Sequence, residues 1–508
     1  MATLEPRGPY SNEELKKLYP EELQLQLVQV LLRHGERSPV SPRFQNAGLA
    51  PFWPYCAVAR SMVSSTLETK NSEWSSLQWR RRLETFGKDN GPVIASGPQG
   101  EIDAICNLGE LTDKGRETTS ALGRRLRHLY VDQLGFLPET LEYGDMLYLR
   151  ATPIPRALES LQQAFWGLYP ARYRSPSLPP VHIITRAPSD ETLFPNDGNC
   201  RRFAQLSRAF AQRTADRWNN TSDMDYLNKL IGKWMPEYSK KVAVDSHPRL
   251  SGIMDTINST ISHGSETRLP KEFYDPKGRE IIEKIGVEEW FSGYKESQEY
   301  RSLGIGGLLG DVVSRMVGSA EHNTNDGQLE VGVQGQKSSG GIKLGLSGCH
   351  DTTLAATLAS LGAFDGEKWP PYTSHIAFEL FKDRRAGKIQ ETTPIPEPKK
   401  GWFEQIFTRN AQEPNNNAGI ARRKIDDLKE SEKAKLDNYY VRLRYNDKVM
   451  KVPGCGLPGN HLQGDETFCT LEAFKRIVDK FTPSDWKAGC RSNMDTPPFP
   501  AVVEPAGY

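Results

Sequence analysis

The sequence predicts an α/β protein whose sheet is interrupted by a mostly helical insertion, and three strand-to-polar junctions predict it. Leu27-Val28-Gln29-Val30-Leu31-Leu32 runs directly into Arg33-His34-Gly35-Glu36-Arg37-Ser38-Pro39. Met146-Leu147-Tyr148-Leu149 runs into Arg150-Ala151-Thr152, and a helix is expected from Pro155, since proline suits the first helical position. Residues 342–348 form a third apolar run, followed by Cys349-His350-Asp351 and a helical apolar pattern over 352–361 that Gly362 closes.

Taken in order, Leu23, Leu25 and Leu27 alternate with polar residues before the pattern becomes continuously apolar, as in a strand buried on both faces. Residues 112–131 read as an amphipathic helix with Leu122, Leu126 and Leu129 on one stripe and Arg124, Arg125 and Arg127 displaced from it. The stretch 320–341, rich in Gly, Ser, Asn and Gln, reads as a loop. Residues 374–381 and 439–445 have β character, 391–417 is studded with Pro and Asn, and 421–437 is charged and mixed in sign, fitting an exposed helix or disorder. We therefore expect 384–436 to be a flexible insertion in a β-hairpin.

The chemistry concentrates at the strand exits. His34 stands between two permanent cations, Arg33 and Arg37, where a buried strand ends. Ligands of open α/β sheets bind outside the carboxyl ends of strands, so position and residue type agree on a phosphate site. If His34 and His350 meet in one site, 23–174 and 341–490 form a single discontinuous core, and 175–340 is a mostly helical cap.

Other classes lack their hallmarks. None of the seven cysteines has an arginine six positions later, which excludes the cysteine phosphatases. Gly345-Leu346-Ser347-Gly348-Cys349 misses the last glycine of a serine-hydrolase elbow. Asp223-Met224-Asp225 follows a polar loop and not an apolar strand. HExxH and CxxC are absent, so no metal or cofactor is expected. A net charge of +1 gives no field to hold nucleic acid, and no run of eighteen apolar residues predicts a membrane span. The first residues have no apolar secretory core, Glu13, Glu14, Glu21 and Glu22 are wrong for a transit peptide, and the odd cysteine count gives no disulfide framework. These favour a reducing, cytoplasmic setting in which the sequons at Asn219, Asn220 and Asn258 are accidental.

The chain resembles the histidine acid phosphatases, the second branch of the histidine phosphatase superfamily. The likeness rests on the RHGxRxP pattern at 33–39, the strand-end arginine and the late His350-Asp351 pair. It is similar within that branch to the lysophosphatidic acid phosphatase lineage, through Leu111-Thr112-Asp113-Lys114-Gly115, Arg156-Ala157-Leu158-Glu159-Ser160 and Leu361-Gly362-Ala363-Phe364-Asp365 leading into Lys368-Trp369-Pro370-Pro371. The resemblance implies a phosphoglycerate-mutase-like three-layer α/β/α core and hydrolysis of phosphomonoesters through a phosphohistidine. His34 would be the nucleophile, Arg33, Arg37 and Arg150 the clamp on the phosphate oxygens, His350 a further donor and Asp351 the general acid. Arg156 would buttress that clamp from behind and Glu36 line the entrance. A small-molecule or lipid phosphomonoester is the expected partner; an acyl chain would need an apolar channel, for which Phe52-Trp53-Pro54-Tyr55 is a candidate wall. A phytase-like activity is the alternative, with Arg60, Arg80, Arg81 and Arg82 either serving it or forming an exposed basic turn. A mitochondrial location is the alternative that the resemblance suggests.

Overall fold

The computed structural model describes residues 2–322, 341–385 and 419–508. Twelve strands form one large sheet and two small hairpins. They are β1 (Leu23–Arg33), the hairpin β2 (Met62–Glu68) and β3 (Glu73–Trp79), the hairpin β4 (Glu84–Phe86) and β5 (Pro92–Ile94), β6 (Leu147–Ala151), β7 (Leu344–Cys349), β8 (His375–Asp383), β9 (Tyr439–Tyr445), β10 (Lys448–Met450), β11 (His461–Leu462) and β12 (Asp465–Thr470). The large sheet is mixed, in the order β11-β12-β9-β8-β1-β7-β6, with β10 on β9. Its parallel part is β1, β7 and β6. Register sets their ends level: Arg33 pairs with Cys349 and Ala151 with Gly348. His34 and His350 therefore leave adjacent strands at the same height.

Strand alternation sorts the residues into two faces. Val28, Val30, Leu32, Leu147, Leu149, Leu344 and Leu346 pack with Leu122, Leu126, Leu161 and Phe165 from the helices Asp113–Arg127 and Pro155–Leu168. Those helices cross closely because Gly123 and Gly167 have no side chain; a Cβ on Gly123 would lie 1.9 Å from the Ala164 carbonyl oxygen. Leu27 and Leu31 face the other way, onto the helices Gly307–Ala320, Asp351–Ser360 and Leu471–Asp479. The sheet thus lies between two helical layers. The amphipathic helix expected over 112–131 is Asp113–Arg127 and continues as a π-helical segment, His128–Gln133.

Several expectations need correction. The helix Gly307–Ala320 lies against the sheet and not in a cap: Gln29 donates to the Val312 carbonyl at 2.9 Å and accepts from Arg315 at 2.6 Å. The preceding segment does carry helices, Arg201–Trp218, Ser222–Ile231, Leu250–Ile261 and Pro276–Glu296, but they share one continuous apolar cluster with the sheet. Residues 323–340, read as loop, and 386–418, read as part of a flexible insertion, lie outside the described residues. The neighbouring 421–437 is helical in the single α-helical turn Glu430–Lys433, none of whose residues is buried. Short turns there bury Ile425, Leu428 and Leu436 in the main cluster. Six cysteines form disulfides, Cys56–Cys106, Cys200–Cys490 and Cys455–Cys469, leaving Cys349 free and buried. Their spacing in sequence, 50, 290 and 14 residues, explains why no framework was visible in the chain. No helix among the described residues is long and apolar enough to cross a membrane.

A buried ionic cluster ties the antiparallel half of the sheet together. Glu379 of β8, fully buried, accepts from Tyr19 at 2.7 Å, Tyr130 at 2.8 Å and Arg442 at 2.7 Å, with Arg444 at 3.4 Å. Burial alone would raise its carboxyl, but Arg442 and Arg444 outweigh that and hold it down at about 2. A carboxyl depressed on folding stabilises above its unfolded value and loses that contribution as pH falls through its folded value. Glu379→Gln should cost about 3–5 kcal/mol near neutral pH, because two arginines lose a buried counter-charge. Denaturant unfolding at a series of pH values should also show the wild type losing stability between the ordinary carboxylate range and about 2, with that part of the slope absent in the variant.

Candidate active site

The site begins where β1 ends. The His34 amide donates to the Cys349 carbonyl at 3.1 Å, which extends the β1–β7 ladder by one bond and fixes the histidine at the sheet edge. His34 Nδ1 lies 2.8 Å from the Gly35 carbonyl oxygen. With that acceptor Nδ1 carries the proton and donates it in a hydrogen bond, which leaves the lone pair on Nε2. Burial, then the charges of Arg156, Arg33 and Arg37, push the ring well below the usual histidine value, so it is neutral. Gly35 is obligatory here, since a Cβ would lie 2.3 Å from the Gly115 carbonyl oxygen at the start of the helix Asp113–Arg127.

Each motif arginine holds a carboxylate. Arg33 donates to the Pro370 carbonyl at 2.5 Å, pairs with Asp351 Oδ2 at 2.7 Å and lies 4.2 Å over the Tyr372 ring. Arg37 pairs with Asp255 Oδ1 at 2.6 Å, and Arg43 approaches the other oxygen at 3.5 Å. Burial works against the Arg37 charge, but Asp255 outweighs it and raises its pKa.

His350 caps the helix Asp351–Ser360, and its ring centroid lies 5.5 Å from that of His34. Its Nε2 is 3.1 Å from Thr152 Oγ1, at the exit of β6. Burial and Arg156 push its ring down to about 3. Asp351 Oδ1 accepts from the Thr352 amide at 2.8 Å, while Oδ2 accepts from the Trp369 indole at 3.0 Å as well as from Arg33. Burial would raise the Asp351 carboxyl, yet Arg33 and Trp369 outweigh it and hold it below the usual carboxylate value. The neighbouring Cys349 is no competing nucleophile, because burial pushes its thiol up to about 12.

The structure brings together His34, Arg33, Arg37, His350 and Asp351, and it corrects the assignment of the third arginine. Arg150 is 0% exposed, bound to Glu191 at 2.6 Å and facing Asp311 at 3.6 Å. Alternation explains it: Leu147, Leu149 and Ala151 face one cluster, so Arg150 points to the opposite face, under the sheet. Arg156, expected only as a buttress, is instead the cation whose charge bears most on both histidines. It pairs with no carboxylate among the described residues, approaches only the Gly109 carbonyl at 3.5 Å, and burial with Arg37 lowers its pKa to about 10. Its place is the first turn of the helix Pro155–Leu168, beside the motif.

Two further readings change. Glu36 does not line an entrance; it is fully buried and accepts from Thr3 at 2.7 Å and Thr118 at 2.5 Å. Trp53 is 1% exposed, donates to the Ala50 carbonyl at 3.0 Å and packs on Tyr55 and His263, so it is core and not a channel wall. Asp255, Trp369, Tyr372 and Thr152 escaped the sequence reading. Only Trp369 had a signal, as part of the Lys368-Trp369-Pro370-Pro371 stretch. Among the described residues no group of His, Cys, Asp or Glu is arranged to hold a metal ion.

A neutral histidine amid arginines at the exit of a parallel sheet defines a phosphate-handling centre on a three-layer α/β fold. The chain belongs to the histidine phosphatase superfamily, branch 2, whose family model matches residues 24–446. A probable acid phosphatase of Schizosaccharomyces pombe is 37% identical over 476 residues, covering 93% of this chain and 95% of its own length. The human lysophosphatidic acid phosphatase type 6 is 24% identical over 388 residues, covering 76% of this chain and 77% of its own. The apo Hafnia alvei phytase superposes with a TM-score of 0.51 at 13% identity, over 93% of this chain and 99% of its own, which is a likeness of fold.

The two arginines separate in a paired experiment. Arg156→Ala should lower kcat/KM for p-nitrophenyl phosphate by about 10²–10³-fold, the effect of removing one preorganised donor, with the thermal midpoint nearly unchanged. Arg150→Ala should instead cost about 3–5 kcal/mol of stability by leaving the fully buried Glu191 without its cation. Activity and melting measured on both variants check the assignment, and a reversed pattern would restore Arg150 to the clamp.

Proposed function

We propose that this chain hydrolyses phosphomonoesters through a covalent intermediate on His34 Nε2. The observation that carries the reading is the His34 ring itself: neutral, with Nδ1 tied to the Gly35 carbonyl and Nε2 left to attack. In the first step the Nε2–P bond forms and the P–O bond to the leaving group breaks, with Asp351 giving its proton to the departing oxygen. In the second, water attacks phosphorus, Asp351 takes a proton from it, and the N–P bond breaks to free His34 and phosphate. Arg33, Arg37 and Arg156 hold the non-bridging oxygens throughout.

Asp351 presents an apparent contradiction, since a general acid must be protonated and three donors hold it as a carboxylate. Arg33 resolves it. When a phosphate dianion binds, Arg33 turns from Asp351 to the incoming oxygens, and the substrate's own charge further raises the carboxyl. Protonation of Asp351 is thereby linked to substrate binding, which supports an acidic optimum.

The physiological substrate follows the relatives and not the residues. Lysophosphatidate or a related lipid phosphate is the first expectation, with phytase-like or broad acid phosphatase activity as the alternative. An acyl chain would have to lie elsewhere than against Trp53. The compartment is proposed anew: three disulfides favour an oxidising setting over the cytoplasm, and the sequon asparagine Asn220 is exposed there for modification.

Alkaline quenching of a reaction with ³²P-labelled substrate should trap base-stable, acid-labile phosphate on the wild type and none on His34→Ala. Labelling of the variant would overturn the nucleophile. Asp351→Asn should slow alkyl phosphate hydrolysis by about 10²–10⁴-fold while affecting p-nitrophenyl phosphate far less, because p-nitrophenolate leaves without a proton. Equal losses on both substrates would remove Asp351 from the acid role.

A further inference from the structure

We propose that the β2–β3 ribbon is the surface through which two copies of this chain pair about a two-fold axis. The ribbon is an isolated two-stranded sheet among the described residues, with both outer edges open and nearly every residue of both faces in water. Such a ribbon is marginal alone, and open apolar edges are surfaces that proteins otherwise avoid. This one is unusually apolar. Trp74 is 71% exposed and Val63 63%, and Leu67, Leu77 and Trp79 are also exposed. Directly opposed residues share a face, so Met62, Trp79 and Leu77 lie on one side and Val63, Leu67 and Trp74 on the other. The next hairpin in the chain, β4–β5, also exposes Phe86, Val93 and Ile94.

The root of the ribbon is firmly anchored, which makes its bare faces harder to explain as a floppy loop. The disulfide Cys56–Cys106 closes the lobe, and Arg81 holds Glu110 at 2.8 Å.

Charge distribution selects the occupant. At the tip Glu68 stands directly opposite Glu73, a like-charge pair that is unfavourable unless something answers it, and Lys70 in the turn offsets only one of the two. At the root Arg80 and Arg82 are exposed. The seven residues of each strand span about 23 Å at ~3.3 Å per residue. Two ribbons laid antiparallel about a two-fold therefore set the acidic tip of each copy against the basic root of the other and bury between them the one face that carries Met62, Leu77 and Trp79 together with Glu68 and Glu73. A lipid surface fits less well, since the acidic tip would lead toward anionic headgroups. A net charge of +1 leaves no long-range repulsion between copies.

Sedimentation velocity on the full chain across a concentration series should show a reversible dimer. Leu77→Ser with Trp79→Ser should weaken it by about 100-fold, as loss of interface anchors does, while Trp74→Ser on the opposite face leaves it intact and phosphatase activity per chain is retained in both. Glu68→Arg with Glu73→Arg, and separately Arg80→Glu with Arg82→Glu, should each give monomers, because tip and root then carry the same sign. Mixing these two variants should restore a heterodimer, which also shows that both are folded. A wild type that stays monomeric, a dimer indifferent to the Leu77, Trp79 and charge substitutions, or no pairing in the mixture overturns the proposal. So does a monomer that sediments with anionic vesicles in a Trp74- and Trp79-dependent way, which would assign the ribbon to a lipid surface.

Discussion

The parallel pairing of β1 with β7 is the constraint on which the rest of the molecule depends. Two strands separated by more than 300 residues lie in a register that sets Arg33 beside Cys349, and the next residue of each is a histidine. A slip of one position would turn every side chain of a strand to the wrong face. The alternation of Val28, Val30 and Leu32 toward one helical layer, and of Leu27 and Leu31 toward the other, fixes that register energetically. The packing of the core and the placement of the two histidines are thus one requirement. Glycines at the motif serve it too, because Gly35 and Gly115 let the helix Asp113–Arg127 close against the strand end.

Electrostatically, the site is a cluster of cations removed from water, and such a cluster is costly without compensation. The fold supplies two carboxylates, Asp255 on Arg37 and Asp351 on Arg33. These occupy guanidinium faces that a phosphate dianion would take. The resting site is therefore already arranged for an anion, with its arginines kept in place by groups that substrate can displace or share. Trp369, Pro370 and Tyr372 form a short strap that addresses both partners of one pair: the indole bonds Asp351, the Pro370 carbonyl takes the other arm of Arg33, and the Tyr372 ring lies beneath that guanidinium. Of the site's arginines only Arg156 pairs with no carboxylate among the described residues, and burial with the charge of Arg37 lowers its pKa.

Much of this was legible in the chain, and the exceptions have physical causes. Apolar runs ending in polar residues mark β1, β6 and β7, since a buried strand must be apolar and its exit need not be. His34, Arg33, Arg37, His350 and Asp351 sit at such exits, so position alone singled them out. Arg150 misled because it is the last polar residue of β6 but still inside the strand, where alternation and not the strand end decides its direction. Its burial with Glu191 and Asp311 depends on a helix more than 150 residues away, for which no local pattern exists. Asp255 is likewise one acidic residue on an ordinary helix, and the disulfides join cysteines whose separations follow the fold and not a motif. Trp53 reads in sequence as a candidate channel wall, yet its side chain packs on Tyr55 and His263.

The two buried ionic centres set opposing demands on pH. On the proposed mechanism Asp351 works best where protons are plentiful, because its carboxylate must take up a proton once Arg33 turns to the substrate. The antiparallel half of the sheet needs Glu379 ionised, because its protonation leaves the buried Arg442 without its counter-charge and Arg444 with Asp447 alone. The two carboxyls differ in what substrate does to them. Asp351 faces the site, and an incoming phosphate both competes for Arg33 and repels the carboxylate, so its proton affinity rises when the enzyme is loaded. Glu379 is enclosed between β9 and the tyrosines Tyr19 and Tyr130, away from the site, and its own arginines hold it at about 2. Substrate thus raises one carboxyl out of a range in which the other remains charged. The protein can then work in acid because the proton that catalysis needs is taken up at the mouth of the sheet while the charge that holds the sheet together stays in place behind it.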